Sequence, residues 1–377
     1  LSGNSSVWAR IILEILFALM AAVLMKAVIK TISYLHTKLP QYDKSVNKSA
    51  YIARDSSIDI ARGILILLMI VAHFSIDKTL RTIIYSFHMV AFVVFSGYFY
   101  KKPKDIFRTL LHIFKRFLIP YIIFVIGTLL LNISNWSEIY LKTAIQQYIL
   151  GMSFSKNILI GVSSVGPVYF ILMLLAVRLI YMLVDYFVKD ETYKILLVLI
   201  LSFVGMKLGE GGYWLPWSMD VALYSLVFYQ IGIFLRKYGI LSYSKNMYFL
   251  YFLLSPVWAY LISIGGVELA VRNYESYGVI ILGATAGVLL LYQLANYIFK
   301  QLPILATAFT YIGKSSMIVI IIHTMLGGVY YNLVTTKFDS AHILFLFFAT
   351  LLQISTAVLI NMFLSIIKNT KKTDRVL

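Results

Sequence analysis

The stretch "IDIARGILILLMIVAH", residues 58–73, decides the fold class and also carries unusual charges. A long apolar run is bounded by Asp59 and Arg62 at one end and by His73 at the other. An ionisable side chain costs several kcal/mol in hydrocarbon, so it normally faces a polar cavity or a partner and indicates function. The question is whether the rest of the chain supports that interpretation.

Composition places the chain among membrane proteins. Of its 377 residues, 60% are hydrophobic and only 13% are charged, whereas soluble domains have about 45–50% apolar residues. The formal charge of +17 could indicate nucleic-acid binding, but the basic residues are spread over short loops between apolar runs. With no cysteine, the chain has no disulfide, thiolate nucleophile or Cys-ligated metal.

Apolar runs of about 20 residues predict an all-α polytopic membrane protein with about ten core transmembrane helices and one extra N-terminal helix. The candidate spans are 8–32, 58–77, 80–99, 113–133, 165–187, 192–208, 218–235, 246–264, 276–299, 304–331 and 342–366. Residues 139–152 form an interfacial candidate, and 8–32 could lie partly in the interface because of its charges.

The loops also predict orientation. If successive loops alternate sides, one set contains about 20 Lys and Arg and the other about 6, so the first set should be cytoplasmic. We expect a multi-pass membrane protein whose basic tail, 368–377, lies on the cytoplasmic side. The remaining predicted regions are an N-terminal helix and basic linker over 1–50 and a membrane domain over 51–367.

Helix geometry predicts a polar stripe on the span at 58–77. Arg62 and His73 are eleven residues apart, so they share a face and lie about 16 Å apart along the axis. Asp59 and Asp77 fall near the same face. Asp59 and Arg62 could also be a pair at the membrane boundary, and Asp77 could either orient the His73 ring or be a loop carboxylate.

Two further histidines should lie at a similar depth in the membrane. His88 is in the next span, which runs back through the membrane, and His323 is in the outer part of a late span. A single buried histidine usually has a structural role, but three at one depth predict a shared polar chamber. We expect Ser96 and Tyr169 as wall residues of that chamber.

These segments resemble acyltransferase family 3, the integral-membrane O-acyltransferases that modify bacterial surface glycans, and "FHM…SGY" is closest to its fucose-acetylase-like branch. The resemblance rests on the arginine and histidine of the 58–73 stretch and covers about residues 52–366. The segments that carry it are "FHMVAFVVFSGYFY", "VGPVYFILMLL", "DVALYSLVFYQIGIFLRK" and "YIGKSSMIVIIIHTML".

The resemblance implies transfer of an acyl group, usually acetyl, from cytoplasmic acyl-CoA to a hydroxyl of a glycan, a lipid-linked sugar or a small acceptor. His73 matches the essential histidine of the family and Arg62 its paired basic residue. The implied co-substrate is acetyl-CoA or another acyl-CoA, with no metal, and the implied location is a bacterial cytoplasmic membrane. An imidazole suits removal of a hydroxyl proton near pH 7, and a guanidinium suits phosphate oxygens.

The donor-side residues are less well matched. Arg108, Lys115 and Arg116 are candidates for binding acyl-CoA. Many family members have an Arg-x-x-Arg pair at a fixed distance before a proline, but these three residues are spaced differently relative to Pro120. Ordinary positive-inside charge explains them equally well.

A transporter-like function is the alternative. The membrane part of the related membrane-bound serine racemases is thought to move an amino acid such as serine rather than to acylate a sugar. This alternative predicts a fused cytoplasmic racemase domain beyond residue 377.

Overall fold

The computed structural model describes most of the chain between residues 56 and 356. The described residues are 56–73, 77–132, 137–152, 165–241, 248–264, 266–274, 276–335, 350–351 and 353–356. They are almost entirely helical and form no strand, so the prediction of an all-α polytopic membrane protein is confirmed. The predicted span 8–32 lies outside the described residues, and 342–366 lies mostly outside them.

Twelve α-helices follow one another in the described part of the chain. They are α1 (Ser56–His73), α2 (Lys78–Tyr85), α3 (His88–Tyr98), α4 (Ile106–Leu131), α5 (Glu138–Leu150), α6 (Tyr169–Phe187), α7 (Glu191–Glu210), α8 (Met219–Lys237), α9 (Tyr248–Ser263), α10 (Tyr277–Gln301), α11 (Pro303–Lys314) and α12 (Ser316–Thr335). Short 3₁₀ turns, Gly166–Val168 and Pro216–Ser218, lead into α6 and α8.

Seven stretches of these helices are long and apolar enough to cross a membrane, and the bent pair α11 and α12 makes up to eight among the described residues. Their outward faces are apolar. On α4, for example, Ile119, Ile122, Ile123 and Ile126 are all exposed, as expected for side chains that face lipid. The predicted number of ten core spans is therefore not decided by the described residues.

Two predicted spans are not single straight helices. The span 80–99 breaks between α2 and α3, where the Ser86 hydroxyl donates to the Ile83 carbonyl and accepts a hydrogen bond from Trp258 Nε1. The span 304–331 bends by 70° between α11 and α12. A hydropathy pattern registers neither deviation.

Helix α8 lies at the centre of the bundle and packs against α3, α6 and α7. It approaches α3 closely because each helix places a glycine against the backbone of the other. A methyl group on Gly97 would overlap the Tyr229 carbonyl, and one on Gly232 would overlap the Val94 carbonyl. Small residues permit such close packing between membrane helices, where apolar burial gives little driving force.

The same device joins α1 to α11. A methyl group on Gly63 would overlap the Phe309 carbonyl, and one on Gly313 would overlap the Asp59 carbonyl. The two contacts fix the position of α1 in the bundle. Because α12 turns away from α11 just after Gly313, its histidine can approach the far end of α1.

We predict that Gly232→Ala destabilises the protein by about 1–3 kcal/mol, because the added methyl group meets a backbone carbonyl that cannot move aside. The matched control is Gly127→Ala, whose methyl group would meet only the flexible end of Met325. Both changes raise helix propensity equally, so their difference in melting temperature in detergent isolates the packing term. Equal melting temperatures would contradict the proposed close contact.

Candidate functional site

One end of the bundle gathers the three histidines and is called here the histidine end. The ring centroids of His73 and His323 are 5.1 Å apart, with the rings tilted by 46°. His88 stacks on Tyr85, with a centroid distance of 5.0 Å. Three helices, α1, α3 and α12, thus bring their imidazoles to one region.

Each of the two buried imidazoles, His88 and His323, is oriented by a hydrogen bond that its Nδ1 donates. His88 Nδ1 lies 3.0 Å from the carbonyl oxygen of Ile84. In an uninterrupted helix that carbonyl would accept the backbone N–H of His88, so the break before α3 makes it available. A carbonyl can only accept, and therefore Nδ1 carries the proton and Nε2 of a neutral His88 is an acceptor.

His323 is oriented by a side chain from the C-terminal part of the chain. Its Nδ1 lies 2.6 Å from Oε1 of Gln353, which is completely buried. The amide oxygen is an acceptor, so Nδ1 donates and Nε2 of a neutral His323 is unprotonated. The hydrogen bond to Gln353 thus leaves a ring nitrogen of His323 that can accept a proton.

A cavity of about 230 Å³ opens between these helices. His73 and His88 line it, while His323, 8% exposed, packs against His73 from behind. The remaining lining residues are Met69, Tyr85, Met89, Phe92, Gly166, Pro167, Tyr169, Phe170, Val267, Glu268, Leu269, Ala270 and Ile320. Ligand pockets measure about 300–1,000 Å³, so this cavity suits one small ring or an acyl group.

A hairpin, residues 267–274 between α9 and α10, forms one wall of the cavity. Its backbone pairs Glu268 with Asn273 in both directions. Glu268 lines the same cavity as His73 and His88. Burial raises the pKa of the Glu268 carboxyl, and the nearby positive charge of Arg81 acts in the opposite direction.

A buried ion pair anchors this hairpin to the bundle. Arg272 Nε donates to Asp220 Oδ2 at 2.9 Å, and both side chains are at most 1% exposed. Arg272 Nη1 also donates to the Ala270 carbonyl, and its guanidinium lies 4.2 Å from the Trp214 ring centroid. These contacts hold Arg272 at φ +60°, a conformation that non-glycine residues seldom adopt.

Arg62 lies at the opposite end of α1, with its guanidinium carbon 5.8 Å from the Phe99 ring centroid. Asp59 is buried one turn away. Neither residue lines the cavity, whose innermost residue on α1 is Met69. Leu65 and Ile66, both 0% exposed, lie between Met69 and Arg62. Of the predicted polar stripe, the cavity therefore includes His73 but not Arg62.

The structure separates the other predicted site residues. Tyr169 lines the cavity, whereas Ser96 lies half-buried on α3 outside it. Asp77 is exposed and caps α2, and the amides of Leu80 and Thr79 lower the pKa of its carboxyl. Asp77 is thus a loop carboxylate, which is one of the two alternatives that the sequence allowed. Arg108, Lys115 and Arg116 are all exposed on α4.

Sequence reasoning missed a cation at the midpoint of α6. Arg178 is half-buried in this 19-residue helix and has no hydrogen bond or ion pair with any residue that the structure describes. Arg178 and Arg116 both act electrostatically on Tyr229, whose hydroxyl is buried without a hydrogen-bond partner in the described residues. The sequence did contain a signal for this residue, because an arginine inside an apolar run normally indicates a functional site.

Gln353, Glu268 and the Asp220–Arg272 pair were also missed. Gln353 is a single amide in an apolar run, and such a polar group needs a hydrogen-bond partner, so the sequence could have indicated it. Glu268 lies in an ordinary polar loop, and Asp220 and Arg272 are far apart in sequence. Nothing in their spacing predicts that they meet.

Comparison with known proteins identifies the family of the chain. Residues 55–367 match the acyltransferase domain of acyltransferase family 3. The chain belongs to this family. No curated protein and no solved structure matches the chain in the same comparisons. The matched segment covers most of the chain, including α1 through α12, so the resemblance read from the sequence is confirmed and the protein is a membrane acyltransferase by family.

We predict that Asp220→Asn destabilises this acyltransferase-family protein by about 3–5 kcal/mol, because it leaves the buried Arg272 charge uncompensated. The control is Glu191→Gln, which removes an exposed ion pair with Lys237 and should cost about 1 kcal/mol or less. Thermal unfolding in detergent measures both. Similar losses from the two variants would show that the buried pair does not anchor the hairpin.

Proposed function

We propose that the protein transfers an acyl group, most simply acetyl, from cytoplasmic acyl-CoA to a hydroxyl of a cell-surface glycan or lipid-linked sugar. The observation that carries the proposal is the His73–His323 contact at the cavity, with His323 held by Gln353. Family membership supports acyl transfer. The excess of basic residues in one set of loops supports an outward-facing histidine end.

In the proposed reaction His73 is the general base. It takes the proton from the acceptor hydroxyl while the hydroxyl oxygen attacks the thioester carbonyl carbon. The carbon–sulfur bond then breaks, and His73 returns the proton to the departing CoA sulfur. The products are the O-acyl ester and CoA with a free thiol. A neutral imidazole is suited to both proton transfers near pH 7.

His323 is proposed to support His73 rather than to react itself. Its hydrogen bond to Gln353 fixes the ring, and its unprotonated Nε2 is available to the neighbouring imidazole. An imidazolium formed at His73 during the reaction would then have an acceptor beside it. This arrangement would favour proton removal without placing a permanent negative charge in the membrane.

Donor binding is proposed at the other end of the bundle. Arg62 beside Phe99 offers a guanidinium for phosphate oxygens. Arg178, half-buried on α6, and Arg116, exposed on α4, offer further positive charge, and the buried Tyr229 hydroxyl offers one hydrogen-bond donor. In the expected orientation, the CoA headgroup would stay on the cytoplasmic side while the thioester reaches inward.

The thioester has to pass between Arg62 and the cavity. The two residues Arg62 and His73 are about 16 Å apart along α1, which a pantetheine arm can span. Because the buried side chains of Leu65 and Ile66 lie between Arg62 and the cavity, donor binding is expected to displace side chains around this part of α1. The acyl group would then enter the cavity near Met69.

The first functional test is removal of the proposed base. We expect His73→Ala to lower acyl transfer by about 100-fold or more, the scale expected for loss of a general base, without changing elution in gel filtration. His112→Ala is the control, because His112 is exposed on α4. The measurement is release of CoA thiol together with incorporation of label from radioactive acetyl-CoA. Activity of His73→Ala within a few-fold of the unmodified protein would exclude His73 as the base.

The second test concerns the donor. Acetyl-CoA binding to the purified protein, measured by calorimetry, should weaken about 10-fold in Arg62→Ala and in Arg178→Gln, because each loses a cation near the donor. Lys104→Ala, an exposed change outside these groups, should bind as the unmodified protein does. No binding by the unmodified protein, together with serine uptake into proteoliposomes, would favour amino-acid transport instead.

A further inference from the structure

The acidic side chains that the structure describes mostly have structural roles. Asp77, Asp105 and Asp190 cap helices, and Asp185, Glu191, Glu210 and Asp220 pair with cations. Glu268 differs from them, because its carboxylate makes no hydrogen bond or ion pair within the described part of the chain and yet lines the cavity. Holding the hairpin therefore does not require this carboxylate.

The hairpin itself is fixed independently of Glu268. Arg272 is held between Asp220 and the Trp214 ring. Tyr274 stacks on Tyr224 with ring centroids 4.1 Å apart. Two buried anchors thus lie just beyond Glu268 in the hairpin, so the backbone from which its side chain extends is fixed before any ligand binds.

A second polar group converges on the same region. Tyr169 is 2% exposed, lines the cavity, and its hydroxyl has no hydrogen-bond partner among the described residues. Glu268, Tyr169 and Tyr85 line the same cavity, and the charge of Glu268 acts on both tyrosines. A buried hydroxyl without a partner carries a desolvation cost that a bound ligand would relieve.

The remaining surface of the cavity is aromatic and apolar. Tyr85, Phe92 and Phe170 contribute ring surface, and Met69 and Met89 contribute flexible apolar side chains. A ligand that fits this site has an apolar face for the rings and hydroxyl groups for the carboxylate and the phenol. A carbohydrate ring has both properties, whereas a simple alcohol lacks neighbouring hydroxyls.

We propose that Glu268 and Tyr169 position the acceptor, with Glu268 accepting a hydrogen bond from a hydroxyl next to the reacting one and Tyr169 donating to a neighbouring oxygen. These two contacts fit the sugar acceptor proposed above, because a polyhydroxylated ring has hydroxyls beside the reacting one. The inference rests on the acyl transfer proposed above, with the reacting hydroxyl directed at His73. Glu268 is a positioning residue in this scheme, because the proton passes to His73.

The test compares acceptors of different shape in one assay. Purified protein in lipid nanodiscs receives acetyl-CoA with a panel of methyl hexopyranosides, with ethanol, or with water alone, and CoA thiol release is followed. The unmodified protein should favour at least one hexopyranoside over ethanol by about 100-fold in kcat/KM. Glu268→Gln should lose about 10-fold or more for that sugar through KM, while hydrolysis and transfer to ethanol stay unchanged. Tyr169→Phe should show a smaller loss of the same kind.

The control is Glu138→Gln, since Glu138 is an exposed acid at the start of α5 that does not line the cavity. It should behave as the unmodified protein toward every acceptor. Equal loss of sugar transfer, ethanol transfer and hydrolysis in Glu268→Gln would assign Glu268 a structural role and overturn the proposal. An unmodified protein that uses ethanol as readily as the sugars would also overturn it. Failure to consume acetyl-CoA at all would reject the proposed acyl transfer itself.

Discussion

Close backbone contact through glycine is the constraint on which the bundle depends. Apolar burial does little to hold helices together in lipid, so the helices need van der Waals contact and hydrogen bonds between them. The reciprocal contacts of Gly97 and Gly232 place α3 against α8, and those of Gly63 and Gly313 place α1 against α11. With α1 and α3 fixed in this way, His73 and His88 come to line one cavity.

The two ends of the bundle have different chemistry. The histidine end contains imidazoles, phenols and one carboxylate that has no structural partner among the described residues, which suits recognition and proton transfer. The other half contains Arg62, Arg178 and Arg116, which suits an anion. This division suits the proposed reaction, in which the two substrates would arrive from opposite sides of a membrane.

The sequence predicted the fold class, the family and most helix positions, because long apolar runs and a charged stripe are local signals. The predicted spans 192–208 and 276–299, for example, correspond to α7 and α10. The break before His88 was missed, since it depends on a hydrogen bond from the distant Trp258 to Ser86. Glu268 and Arg272 were missed for a similar reason. Their roles come from a hairpin packed on Asp220, and such contacts leave no periodic pattern.

The placement of the hairpin also has a consequence for how acceptor preference could diverge between related proteins. The residues proposed for proton transfer and donor binding lie on long helices, and the helix that carries Arg62 and His73 is fixed by glycine contacts. Val267, Glu268, Leu269 and Ala270 instead form a short continuous segment whose anchors, Arg272 and Tyr274, lie just beyond it. Substitutions within this segment would reshape one wall of the cavity and leave the helices in place. Acceptor choice could therefore evolve by local loop exchange at little risk to the membrane scaffold.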